Sequence, residues 1–222
     1  MTKQTDLAIK AKKSEPITKL QFSSLQAIFD YYNKRLFNSQ LYGCMLNFSR
    51  KNKSYGFFAA ERWEGDKNQQ IHEISLNPEF TKNRKPIEWI STIAHEMVHL
   101  WQQDFGKPSR TGYHNKEWAE KMKAIGLQPY CTSDISKEVG QNVSHTIIEN
   151  GKFAQAFEKM PEEIILPFLC IQEKEKEKKK SKNKTKYYCP ECDVNVWGKP
   201  DLDIMCNDCE MNFKQEEPEE ED

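Results

Sequence analysis

The sequence predicts an α+β domain followed by a small module that a metal ion would staple. Three observations carry this. Helical periodicities and short β-like runs share residues 22–157, an HExxH motif lies inside the strongest helical pattern, and two CxxC pairs crowd the C-terminal part of the chain.

Composition bounds the possibilities. Of the 222 residues, 37% are hydrophobic and 30% charged, a low apolar share for one compact globule, so part of the chain is expected to be solvated tail or linker. Lys+Arg number 33 and Asp+Glu 34, for a net charge of -1. That balance excludes a uniformly basic nucleic-acid binder but not a local basic patch. No apolar run approaches the roughly 18 residues of a membrane helix. The opening MTKQTDLAIKAKKSEP has no apolar h-region, so the reading is a cytoplasmic protein with no membrane association. Seven cysteines, an odd count, argue against a disulfide framework. Cys44, Cys131 and Cys170 read as buried structural thiols.

Residues 1–19 are polar and Lys-rich and read as a flexible arm. Phe22, Leu25, Phe29, Tyr32 and Leu36 recur at three- and four-residue steps, which predicts an amphipathic helix ending near Asn38. Strand-like runs follow at Cys44–Ser49, Tyr55–Ala60 and Ile71–Leu76, separated by polar stretches, with Asn77-Pro78 closing the last. Ile71–Leu76 is a candidate edge strand for pairing with extended substrate. A second helix is predicted from Ile87 to Asp104 with Pro86 at its start, and a third from Asn115 to Ala124 with Gly126 just past its end. SHTIIENGKFAQAF reads as two strands around an Asn150-Gly151 turn, and Ile164–Ile171 is an apolar run of undecided type. Residues 172–186, with eight Lys and three Glu, read as a charged linker, followed by a Cys-rich module at 187–214 and an acidic tail at 215–222.

Residues 95–99 read HEMVH. On a helix, His95 and His99 share one face a turn apart, the geometry for two ligands of one Zn²⁺, while Glu96 sits where its carboxylate reaches a metal-bound water. A catalytic zinc site needs a third protein ligand. His114 is the leading candidate, because the intervening segment carries the Gly, Pro and Ser of a loop that turns the chain back. A carboxylate on the third helix, Glu117 or Glu120, is the rival. His72 and His145 read as strand or surface residues. With three neutral imidazoles as ligands, Zn²⁺ keeps its charge and acidifies bound water. Glu96 is then the general base of peptide hydrolysis. Tyr113, beside His114, is a candidate oxyanion donor, set against a packed aromatic with its hydroxyl in solvent.

The stretches STIAHEMVHLWQQDFG and GYHNKEWAEKMKAIGLQP, with FDYYNKRLFNSQL, ISLNP and VGQNVSHTIIENGKF around them, resemble the SprT-like family of zinc metallopeptidase domains. That family includes the Spartan proteases, which cleave proteins crosslinked to DNA. The resemblance covers roughly residues 22–157 and looks more bacterial or phage-type than Spartan-like. It implies a zincin-like fold in which His95, His99 and His114 bind catalytic zinc and Glu96 is the base.

Cys189-Pro-Glu-Cys192 and Cys206-Asn-Asp-Cys209 form two knuckles, suited to a closed, structural Cys₄ zinc site. The module looks like a zinc ribbon of the kind SprT-like proteins carry at the C-terminus. Its aromatics Tyr187, Tyr188, Trp197 and Phe213, with Lys178, Lys179, Lys180, Lys182, Lys184 and Lys186 before them, are candidates for single-stranded nucleic-acid contact. The alternative is a small aromatic core behind a solvated tether.

Together these readings predict an α+β, zincin-like domain over 20–171, with a small antiparallel sheet and an HExxH helix, plus a C-terminal zinc ribbon. The expected function is a zinc-dependent endopeptidase holding one catalytic and one structural ion and acting on protein, DNA-associated or DNA-crosslinked protein included. The alternatives are a non-catalytic nucleic-acid-binding or regulatory module, and a peptidase dedicated to one regulatory partner.

Overall fold

The computed structural model describes residues 15–51, 54–171 and 184–216. The chain divides into two compact units, within Met1–Gln172 and Glu173–Asp222.

The first unit opens with α1 (Ile17–Leu36), whose Leu25, Ile28, Phe29, Tyr32 and Leu36 are buried. The helix starts five residues ahead of the apolar stripe. Lys19 pairs with Glu15 across the first turn and the Leu20 N–H bonds the Pro16 carbonyl, so residues 17–19 belong to the helix rather than to a flexible arm. Three strands follow: β1 (Met45–Phe48), β2 (Gly56–Glu64) and β3 (Gln70–Leu76). Their order is β1-β3-β2. β2 and β3 form an antiparallel hairpin, whereas β1 runs parallel to β3. The expected antiparallel sheet is therefore mixed. A hairpin forces its own two strands antiparallel, but between β1 and β3 the chain reverses twice, so those two run parallel.

Ile74 and Leu76 of β3 face α2 (Pro86–Phe105), the central helix. Pro86 occupies its first turn, and the Glu88 carboxylate accepts the Lys85 N–H at 3.0 Å. Trp89, Ile90, Ile93, Ala94, Met97, Val98 and Leu100 are buried almost all round, as befits a helix packed on several sides.

After α2 come β4 (Tyr113–His114), α3 (Lys116–Ile125), β5 (Leu127–Cys131), β6 (Gly140–Gln141) and β7 (Val143–Ile147). β4 pairs with β6 and β5 with β7, both antiparallel. α3 is capped by the Asn115 side chain, which accepts the Trp118 N–H at 3.0 Å, and ends at Gly126 with φ 97°. A Cβ at Gly126 would lie 2.7 Å from the Phe153 nitrogen, so both conformation and space require glycine there.

The expected second strand after Asn150-Gly151 is a helix, α4 (Lys152–Glu158). The turn is present, with Asn150 at φ 55°. Phe153 and Ala156, three residues apart, are buried on one helical face, and Tyr32 stacks on Phe153 with ring centroids 5.2 Å apart. The partner of β7 is β5 instead. Within 164–171, only a 3₁₀ turn at Glu162–Ile164 reaches the segment.

The second unit holds β8 (Thr185–Tyr188), β9 (Asn195–Gly198), β10 (Met205–Cys206), β11 (Met211–Asn212) and β12 (Lys214–Gln215). The sheet order is β12-β8-β9, beside a β10-β11 hairpin. Among its described residues, Tyr187, Cys189 and Cys206 are buried. Among the described residues no helix is long and apolar enough to cross a membrane.

Candidate metal centre

His95, Glu96 and His99 lie on α2, with the carboxylate of Glu96 and the ring of His95 buried and His99 partly covered. His114 comes from β4, fixed there by its pairing with Gly140 of β6. The donor atoms of His95, His99 and His114 lie within 4.8 Å of one another. The Nε2 atoms of His99 and His114 are 3.1 Å apart. Nitrogens held tetrahedrally at about 2.0–2.1 Å from Zn²⁺ stand about 3.3 Å from each other, so the spacing fits the ion. His114 Nδ1 lies 3.3 Å from the Gly140 carbonyl, an acceptor, which places the proton on Nδ1 and leaves Nε2 as donor to a metal.

The carboxylates offered as rivals are engaged elsewhere. Glu117 accepts the Gln102 side-chain amide at 2.8 Å and the Lys107 N–H at 2.7 Å. Asn115 accepts from the same Gln102 at 2.8 Å and donates to the Lys107 carbonyl at 2.9 Å. These bonds tie the loop after α2 to the start of α3 and so fix where His114 emerges. Glu120 faces solvent beside Lys116.

Trp118 backs the cluster. It is fully buried, with its ring centroid 4.8, 5.1 and 4.3 Å from those of His95, His99 and His114. The apolar wall excludes water from behind the donors. His145, expected as a strand or surface residue, sits on β7 but turns inward. Its Nδ1 lies 3.1 Å from His95 Nδ1 and its Nε2 lies 2.8 Å from Ser91 Oγ. A signal was present: Val143, His145 and Ile147 alternate onto one face of the strand. Trp118 likewise continues the buried stripe with Met122 and Ile125. His72 is on β3, where it accepts the Glu61 N–H and contacts Asp104 at 3.1 Å.

Burial sets the protonation of these groups in the metal-free fold. It pushes His95 well below the ordinary histidine range, with His145, His99 and His114 adding repulsion, and takes His99 down to about 3. Burial also lowers His114, against the Gly140 carbonyl, and takes His145 down to about 4. All are thereby held as neutral donors. Burial raises the Glu96 carboxyl to about 8, opposed by the Phe58 backbone N–H that it accepts and by Lys51. That donor is available because of the strand register. Asn77 N–H bonds the Tyr55 carbonyl at 2.8 Å, so Phe57 and Ala59 bond inward to β3 while Gly56 and Phe58 turn their backbone groups outward.

The histidines and Glu96 line an open groove of about 1730 Å³, together with Phe57, Phe58 and Ala59 of β2 and Tyr113 of β4. The expectation that Ile71–Leu76 is the edge strand is overturned. That segment is β3, the middle strand, between the edge strands β1 and β2, and β2 lines the groove. Tyr113 faces the Arg110 guanidinium, 5.4 Å from its ring centre.

In the second unit Cys189, Cys192, Cys206 and Cys209 bring their sulfurs within 4.8 Å of one another. Cys192 and Cys206 are 3.9 Å apart, close to the roughly 3.8 Å between thiolates on one tetrahedral Zn²⁺. Backbone N–H groups of Cys192 and Glu191 lower the Cys189 thiol to about 7, readying it as a thiolate. Tyr187 is core, its hydroxyl donating to the Lys199 carbonyl and accepting the Leu202 N–H, whereas Trp197 is 63% exposed. Lys186 stands opposite Trp197 and pairs with Glu216 at 2.8 Å. Lys184 is exposed. Lys178, Lys179, Lys180 and Lys182 lie outside the described residues.

Residues 25–143, more than half of the chain, match the family model of the SprT-like family. The chain belongs to the SprT-like family. The match runs from Leu25, within α1, to Val143, the first residue of β7, and contains all three clustered histidines and Glu96. Among curated proteins none matches this chain. The SprT-like region thus coincides with the His cluster, and the Cys cluster beyond it is compatible with a zinc ribbon; both donor sets are consistent with zinc.

Proposed function

We propose that this SprT-like chain is a zinc-dependent endopeptidase with a zincin-like catalytic domain built round the HExxH helix. The observation that carries the reading is the convergence of His95, His99 and His114 beside Glu96 at the floor of one groove. Those three rings would hold zinc through their neutral nitrogens, and Cys189, Cys192, Cys206 and Cys209 would hold a second, structural ion. When bound at the histidines, zinc supplies a Lewis acid that acidifies water and polarises a peptide carbonyl.

The chain's own groups do the rest. The outward backbone groups of β2 pair with extended substrate and lay it across the groove. Glu96, oriented by the Phe58 N–H, takes the proton of the attacking water and delivers it to the leaving amine. The Tyr113 hydroxyl donates to the oxygen that gains charge. Trp118 keeps the back of the donor set dry. Glu96→Gln tests the reading: zinc content stays at the wild-type level while peptide hydrolysis falls about 10²–10⁴-fold. Undiminished hydrolysis in that variant favours a scaffold role for the domain.

We further propose that the substrates are proteins held on single-stranded or crosslinked DNA. The support is the second unit, where β-sheet alternation puts Lys186, Tyr188, Trp197 and Lys214 on one face. Lysines contact phosphate and exposed aromatics stack on bases. Salt-sensitive binding to an oligothymidylate that vanishes on deletion of residues 172–216 supports this; binding that survives the deletion rejects it.

A further inference from the structure

We propose that His145 is a positioning residue that fixes the His95 tautomer and so aims His95 Nε2 at the metal. This rests on the reading of His95, His99 and His114 as a zinc site. The relay starts at α2. Ser91 Oγ lies 2.8 Å from the Glu88 carbonyl oxygen and 2.8 Å from His145 Nε2. A carbonyl only accepts, so the single hydroxyl proton of Ser91 goes to Glu88, and Ser91 Oγ accepts from His145 Nε2–H. A neutral imidazole with its proton on Nε2 has a lone pair on Nδ1. His145 Nδ1 lies 3.1 Å from His95 Nδ1, so it accepts the His95 Nδ1–H. His95 is left with its lone pair on Nε2.

The direction of the relay matters. Were every proton reversed, Ser91 would donate to His145, His145 to His95, and His95 Nε2 would carry a hydrogen and could not ligate. A metal ligand's far nitrogen is usually held by a carboxylate or a carbonyl. Here a second histidine from β7 performs that task, and the Glu88 carbonyl sets its polarity. His114 reaches the same tautomer by the simpler route, through the Gly140 carbonyl.

The test uses the full chain with His145→Phe, which keeps an aromatic ring without an acceptor, His145→Asn, whose side-chain oxygen occupies the acceptor position, and Ser91→Ala. Each is loaded with zinc or Co²⁺ and titrated with a chromophoric chelator, and the metal-free thermal midpoint is recorded. We expect His145→Phe to weaken the histidine site about 10- to 100-fold, with an altered Co²⁺ ligand-field spectrum and an unchanged thiolate–Co²⁺ band. His145→Asn recovers most of the loss, and Ser91→Ala loses less than His145→Phe. Wild-type affinity in His145→Phe overturns the proposal. So does a His145→Asn variant no better than His145→Phe when its metal-free midpoint matches wild type. Should His145→Phe not fold, His145→Asn and Ser91→Ala decide, and wild-type affinity in Ser91→Ala overturns the relay. A wild-type chain that takes up only the thiolate-bound ion rejects the histidine site itself, a result distinct from these.

Discussion

The Nε2 atoms of His99 and His114 stand 3.1 Å apart, although fifteen positions separate the two residues in the chain. The Gly140 carbonyl holds the His114 proton on Nδ1 and leaves its Nε2 lone pair facing His99 Nε2, a spacing at which a cation can take both nitrogens as donors. Replacing His114 by Ala should therefore remove one zinc ion per chain, from two to about one, as measured by elemental analysis after gel filtration. Two ions retained in that variant would exclude His114 as a ligand.

Glu117 and Glu120 look alike in sequence but are expected to behave differently. Glu117 accepts from Gln102 and Lys107, and Gly106 packs so close that a Cβ there would meet its carboxylate at 2.6 Å. Glu117→Ala should cost about 1–3 kcal/mol in denaturant unfolding and weaken zinc binding, because the loop that presents His114 loosens. Glu120→Ala, removing only an exposed pair with Lys116, should change stability by less than about 1 kcal/mol. Equal effects of the two substitutions would contradict this account.

The metal-free chain should melt highest near neutral pH. Burial lowers His99 to about 3 and His145 to about 4, from ordinary values of 6.5. The fold then binds fewer protons than the unfolded chain, so this stability is present above pH 6.5 and is lost as pH falls toward 4 and 3. Glu96 has the opposite sign. Raised from 4.5 to about 8, it contributes stability below 4.5 that is lost as pH rises through 8. Thermal unfolding in a chelator should show a maximum near pH 6.5, and Glu96→Gln should flatten its alkaline side. A wild-type midpoint rising steadily from pH 6.5 to 8.5 would contradict the assignment.

The Cys-rich unit buries too little to fold unaided: Tyr187 is its one fully buried large side chain among the described residues. Cys206→Ser should abolish the structure of residues 184–216 and one zinc equivalent together, as reported by amide exchange. Protection in α2 should be unchanged. Retained protection in β8 and β9 would mean the unit stands without its metal.

How much of this is legible in the sequence depends on how local the cause is. α2 and α3 are nearly where their periodicity puts them, because Pro86 and Gly126 mark ends through local backbone geometry and Asn115 through a local side-chain cap. β5 is hidden because Pro129 interrupts LQPYC, yet it pairs with β7 across its whole length. α4 is hidden too, because Asn150-Gly151 signals a turn and leaves open whether a strand or a helix comes after it. Burial of Phe153 beneath Tyr32 decides for the helix. The middle position of β3 is equally non-local, since strand order depends on where β1 docks.

The motif HEMVH, the CxxC pairs and the family follow from residue identity and spacing, because helix pitch and knuckle geometry are local properties of the backbone. Tertiary packing brought His114, the leading candidate by sequence, rather than Glu117 to the His95–His99 pair, made β2 the groove's edge, and set His145 and Trp118 against the donor set. Those outcomes turn on contacts between residues far apart in the chain, whose meeting depends on how the buried faces of α2, α3 and β7 fit together.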